Sequence, residues 1–165
     1  MGEPMAANLA RAGFAVQSYD AAGTGNRNSV REAASGADAL VTMLPDGDVV
    51  REVVLEALPA LKSGAVVVDM SSSDPSGTRA LGVALSAKRI SMVDAPVSGA
   101  IGKAKDGTLA IMVGGEQEAV RKVEPVLRAM GTQIFRCGPL GAGHAVKALN
   151  NYLGAAGTGG WDFSG

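Results

Sequence analysis

Short runs of β-branched and apolar residues alternate along this chain with stretches whose apolar positions recur every three or four residues. The first pattern belongs to strands and the second to amphipathic helices. Met5, Leu9 and Ala12 share one side of a helix predicted over 1–12, stopped by Gly13. A strand is expected over 14–19. Asn28 or Ser29 then caps a short helix through Ala34, ended by Gly36. The run 39–44 reads as a strand closed by Pro45, and a helix follows from Asp48 to about Leu61. Residues 65–70 (AVVVDM) are apolar on both faces, as in a strand buried within a parallel sheet. Ser73 or Asp74, with Pro75 at the first helical position, opens a helix to about Lys88.

Beyond these lie a strand at 90–94, a loop over 95–107 and a strand at 109–113. A helix over 116–130 ends at Gly131, a short strand covers 133–136, and a final helix covers 143–153. Strands alternating with helices at this spacing specify an α/β fold with a doubly wound, mostly parallel sheet, its last connections antiparallel or irregular. Residues 154–165 are rich in Gly and Ala around a lone Trp161, and Gly157, Gly159 and Gly160 each weaken a helix there.

Composition narrows the function classes. At 165 residues the chain is about one domain, 47% apolar and 19% charged, with an ordinary capacity to bury a core. A net charge of −1 and 4% aromatic residues argue against nucleic acid as a partner and against an anionic membrane surface. No apolar run approaches the length of a membrane span. The single Cys137 suits a reducing compartment, and the cytoplasm is expected, with a mitochondrial location left open. His, Cys and acidic residues lack ligand spacing, so no metal site is expected.

The candidate chemistry sits near the end. Lys147, Asn150 and Asn151 follow the run Gly141-Ala142-Gly143, and spacings of three and four place them on one side of a helical turn. A partly desolvated amine passes protons near neutral pH, and a solvated helix face is the plainer alternative. At the other end, Met1-Gly2 stands already at a helix start. Gly2 reads as the last glycine of a G-x-G-x-x-G loop, whose earlier glycines and preceding strand are expected to lie outside this chain. Asp20 closes the next predicted strand, where a carboxylate binds two ribose hydroxyls and repels a 2′-phosphate; a turn residue is the competing reading.

These residues resemble the β-hydroxyacid dehydrogenases related to 3-hydroxyisobutyrate dehydrogenase. Met1-Gly2-x-x-Met5-Ala6-x-Asn8-Leu9 is similar to the tail of that family's opening motif. Asp94-Ala95-Pro96-Val97-Ser98-Gly99 with Gly107-Thr108-Leu109 resembles its substrate loop, and Gly141-x-Gly143-x-x-x-Lys147-x-x-Asn150-Asn151 its catalytic-lysine motif. The resemblance implies a Rossmann-like domain over 1–140, with 141–165 as the start of an interdomain helix and a divergent tail. Its first strand and a C-terminal helical domain are expected to be missing.

By the same resemblance, Lys147 is the acid/base, Asn151 orients substrate, and Ser98 and Gly99 hold the substrate carboxylate. Gly2, Asp20, Leu44, Pro45 and Ser72 face the cofactor, with NAD expected over NADP. The implied activity is hydride transfer between nicotinamide and a small hydroxy acid or semialdehyde, in a full-length homo-oligomer. Tartronate semialdehyde or a related small aldehyde is the alternative substrate. A non-catalytic, truncated cofactor-binding fragment is the alternative class. Ala100 departs from the motif, where a second glycine is common.

Among the remaining features, His144 is expected to face solvent, with a proton relay to Lys147 as its alternative. Cys137 is expected in a half-buried loop, and Lys103 to Asp106 in a solvated turn.

Overall fold

The computed structural model describes residues 1–157; Gly159, Gly160 and Trp161, part of the expected divergent tail, lie outside the described residues. In chain order the elements are α1 (Gly2–Arg11), α2 (Val30–Ala34), β1 (Ala39–Thr42), α3 (Gly47–Ala57), β2 (Val66–Asp69), α4 (Pro75–Ser86) and β3 (Ser91–Asp94). They continue as β4 (Val97–Ser98), α5 (Ile101–Asp106), β5 (Leu109–Gly114), α6 (Gln117–Met130), β6 (Gly131–Gly138) and α7 (Ala142–Ala155). The β1, β2 and β3 strands run parallel, and β6 runs parallel to β5. Antiparallel pairing joins β3 and β4 to β5 in one continuous register, Asp94 opposite Gly114 and Ser98 opposite Ala110. The sheet is therefore mostly parallel with an antiparallel turn in its middle, as its α/β pattern predicts.

Helices cover both faces, because alternate residues of a strand point to opposite sides. Val66 and Val68 of β2 join Met5, Leu9, Val123 and Leu127 beneath α1 and α6. Val67 joins Val50, Val54, Leu81 and Leu85 beneath α3 and α4. Local signals set the helix starts. Asp46 Oδ1 accepts from the N–H groups of Asp48 and Val49, Asp74 Oδ2 from Gly77 N, and Ser29 Oγ from Glu32 N. Each satisfies donors that the first helical turn leaves open.

The expected strand at 14–19 does not form. Pairing requires a neighbouring strand, and among the described residues β1 is an edge strand that pairs with β2 alone. Backbone groups in this segment turn to side chains instead: Ser18 N donates to Asn26 Oδ1, and Asn26 Nδ2 donates to Val16 O. The expected loop over 95–107 contains β4 and α5. The expected solvated turn at 103–106 is thus helical, with Ala104 buried beneath α1 and its carbonyl accepting from Asn8 Nδ2 at 2.6 Å. Cys137 lies within β6 rather than in a loop, and burial pushes its thiol pKa up.

Candidate functional site

At the carboxyl ends of the parallel strands, Thr42, Asp69 and Asp94 occupy one row across β1, β2 and β3. This is the end at which open α/β sheets bind ligands. Both carboxylates are fully buried, so each needs donors for its oxygens. Asp69 Oδ1 accepts from Thr42 Oγ1 at 2.9 Å and from Ser71 N at 3.0 Å, and Oδ2 accepts from Ser73 Oγ at 2.7 Å. Asp94 Oδ1 accepts from Gly141 N at 2.7 Å, and Oδ2 from His144 N at 2.7 Å. Asp94 thus caps the start of α7 from a distant strand.

His144 belongs to this network and does not face solvent; its side chain is fully buried. Nε2 lies 3.0 Å from Ser71 O, a carbonyl that only accepts, so Nε2 carries a proton. Nδ1 lies 2.9 Å from Thr78 Oγ1. Asp69 Oδ2 and Asp94 Oδ2 stand 3.6 and 3.7 Å from the two ring nitrogens. Burial among these acceptors draws the ring inward, against the expectation that it points to water.

The glycines of the lysine motif serve this approach. Gly141 has φ +90°, a left-handed conformation that glycine adopts without strain. A Cβ on Gly143 would collide with Met112 O and sit 2.9 Å from Asp94 Oδ2.

Farther along α7, Lys147 is half-buried, and its burial lowers the ammonium pKa from the ordinary lysine value. Asn150 is half-buried as well, and its Oδ1 is enclosed without a hydrogen-bond partner among the described residues. Asn151 is exposed, so the spacing that suggested a shared face separates the two amides. The α7 helix packs on β5 and β6, while Ser98 pairs with Ala110 of the same β5. Ser98 is half-buried and Gly99 is exposed before α5.

Nearer the chain start, Gly2 opens α1, a helix with no side-chain cap, and a Cβ there would meet Met43 Cβ at 3.8 Å. Leu44 N donates to Ser71 Oγ at 2.9 Å, joining the ends of β1 and β2; Pro45 beside it is exposed. Ser72 lines a cavity of about 330 Å³ between the starts of α3 and α4, together with Asp46, Gly47, Ser73 and Asp74. Asp20 is exposed, and its Oδ1 accepts from Ala22 N at 2.7 Å, the bond of a turn residue. Among the described residues no group of His, Cys, Asp or Glu side chains could hold a metal ion. No helix there is long and apolar enough to cross a membrane.

Sequence reasoning gave no role to Asp69 or Thr78, named Asp94 only as the start of the substrate-loop motif, and missed the inward turn of His144. One available signal was an aspartate ending each of two apolar strands.

A family model described as the NAD binding domain of 6-phosphogluconate dehydrogenase matches residues 1–138. The chain is 39% identical to an NAD-dependent L-serine dehydrogenase of Pseudomonas aeruginosa, over 93% of this chain and 56% of that protein. It is equally identical, 39%, to 2-(hydroxymethyl)glutarate dehydrogenase of Eubacterium barkeri, over 93% of this chain and 55% of that one. The structure of Mycobacterium tuberculosis 3-hydroxyisobutyrate dehydrogenase with L-serine superposes with TM-score 0.90 at 37% identity, covering 94% of this chain and 57% of its own. The chain spans about half the length of the curated relatives it matches.

Proposed function

The chain belongs to the family described as the NAD binding domain of 6-phosphogluconate dehydrogenase, and from that premise we propose that it is the cofactor-binding portion of an oxidoreductase acting on small β-hydroxy acids. The observation that carries the reading is Lys147, a half-buried amine whose pKa is lowered by desolvation, on a helix that starts at the strands' carboxyl ends. Two relatives are named for L-serine and 2-(hydroxymethyl)glutarate. Each of those compounds carries a primary carbinol one carbon from a carboxylate-bearing centre. We assign that class to this chain, with 3-hydroxyisobutyrate as its type and tartronate semialdehyde as the alternative.

A nicotinamide cofactor, when bound, supplies the hydride acceptor or donor. The start of α1 fits the pyrophosphate, because its first N–H groups receive no side-chain cap. The start of α7 does not, since Asp94 already fills it. Gly2, Leu44, Pro45 and Ser72 would line the cofactor, and Asp20 would favour NAD over NADP by repelling a 2′-phosphate. Lys147 would take or give the proton on the substrate oxygen. Ser98 and Gly99 would hold the substrate carboxylate, and Asn151 would orient it, in the homo-oligomer expected of the full-length enzyme. A domain boundary at 140/141 goes with this reading, supported by a family match that ends at residue 138.

Calorimetric titration of the chain with NAD and NADP tests the cofactor assignment. Tighter NADP binding would overturn the role of Asp20, and binding of neither would overturn the cofactor-binding reading of this chain. In an active full-length enzyme, Lys147→Ala should lower kcat by orders of magnitude with NAD binding nearly unchanged. Equal loss of both would remove Lys147 from the chemistry.

A further inference from the structure

A glycine-flanked helix start can receive an anion from outside the chain. Here the anion is internal, and we infer that Asp94 is the positioning residue for Lys147, locking the first turn of α7 so that the amine keeps a fixed depth. The inference rests on the reading of Lys147 as the acid/base and deepens it.

Three observations support it. Both Asp94 oxygens are committed to α7, through Gly141 N and His144 N, and the carboxylate is fully buried. Close approach is enforced by glycine: a Cβ on Gly114 would collide with Asp94 Oδ1, and one on Gly143 would stand 3.1 Å from Asp94 O. His144 supplies a second anchor, its ring tied to Ser71 O at 3.0 Å and Thr78 Oγ1 at 2.9 Å on the β2–α4 side. The first turn is therefore held against both β3 and α4. Lys147 follows His144 by three residues, about one turn and about 4.5 Å along the axis. A residue rotates the helix by about 100°, so a small slip of the first turn swings the amine substantially.

This arrangement also explains why the substrate-loop motif and the lysine motif each carry a residue that touches neither substrate nor cofactor in the proposed mechanism. Asp94 begins one motif and holds the start of the other.

The test follows the Lys147 side chain directly by NMR titration of its Cε group in the whole chain, assigned with Lys147→Arg. Asp94→Asn keeps the size but presents an amide to two N–H donors. We expect faster hydrogen exchange at Gly141 and His144, and a Lys147 midpoint that rises by about half a unit or more as the amine gains water. Loss of a nearby negative charge alone would lower the midpoint, so a fall overturns the inference. Faster exchange with an unmoved midpoint also overturns it, leaving Asp94 a structural cap only. Should Asp94→Asn fail to fold, Thr78→Val releases the other anchor, and an unmoved midpoint there counts equally against it. None of these readouts uses turnover. If Lys147→Ala kept its kcat in the full-length enzyme, the acid/base reading would fail while the positional result stood.

Discussion

The backbone N–H of His144 donates to Asp94 Oδ2 at 2.7 Å, joining the end of β3 to the first turn of α7 across 50 residues. That bond needs a helix start pressed against the sheet, and Gly143 permits the approach. Gly143→Ala should cost about 1–3 kcal/mol of stability through overpacking against Met112 O and Asp94. A Cβ on Gly154, in the last turn of the same helix, would meet nothing within 4 Å among the described residues. Gly154→Ala should therefore stabilise by up to about 1 kcal/mol. Urea denaturation of both variants checks the contrast, and equal effects would mean that the first turn stands off the sheet.

Asn150 Oδ1 is enclosed without a partner among the described residues. A buried acceptor left unpaired costs about 1–3 kcal/mol, and an apolar group of similar shape removes that cost. Asn150→Leu should raise the urea midpoint by the equivalent of about 1 kcal/mol. The exposed Asn151 is the control, and its replacement by Leu should stay within about 0.5 kcal/mol. A loss of stability in Asn150→Leu would show that the amide has found a donor in solution.

Asp20 accepts from Ala22 N through Oδ1. If it also disfavours a 2′-phosphate, Asp20→Ser should shift the NADP-to-NAD ratio of dissociation constants toward NADP by about tenfold, or about 1.4 kcal/mol. Calorimetry with both cofactors measures this, and an unchanged ratio confines Asp20 to its turn.

Local chemistry was legible wherever it decided the outcome. The helix starts expected at Asn28 or Ser29 and at Ser73 or Asp74 formed with Ser29 and Asp74 as the caps, and the buried run read at 65–70 formed a strand over Val66–Asp69. Residues 14–19 have strand propensity, but a strand also needs a neighbour, which a single segment cannot reveal. The six-residue α5 is too short to display a helical period, and the two-residue β4 is defined only by its pairing with β5.

At the candidate site, the motifs named Lys147, Ser98 and the glycines at 141 and 143, and the structure shows what the two glycines do: they bring the start of α7 against Asp94. The burial of His144 was hidden because its partners Ser71 and Thr78 lie 73 and 66 residues away in sequence. A polar residue at a helix start reads as solvated until those partners are placed. Likewise the spacing of Lys147, Asn150 and Asn151 gives a shared side, while packing of α7 on β5 and β6 decides which of them is covered.

Burial holds the Lys147 ammonium below the ordinary lysine value near 10.5. The native state therefore releases this proton at a lower pH than the unfolded chain does. Below the native midpoint both states are protonated, and the desolvation cost opposes folding in full. Between that midpoint and about 10.5 the unfolded chain binds more protons, so the residue's contribution to stability rises with pH. Lys147→Met removes the charge and keeps an unbranched apolar stem. The variant should be more stable than the parent at neutral pH, with an advantage that shrinks as pH approaches the lysine range. Urea denaturation of both proteins at neutral pH and at two alkaline pH values measures the difference. A difference that stays constant with pH would mean that the ammonium remains fully hydrated in the native state, and the amine would lose its claim to proton transfer near neutrality.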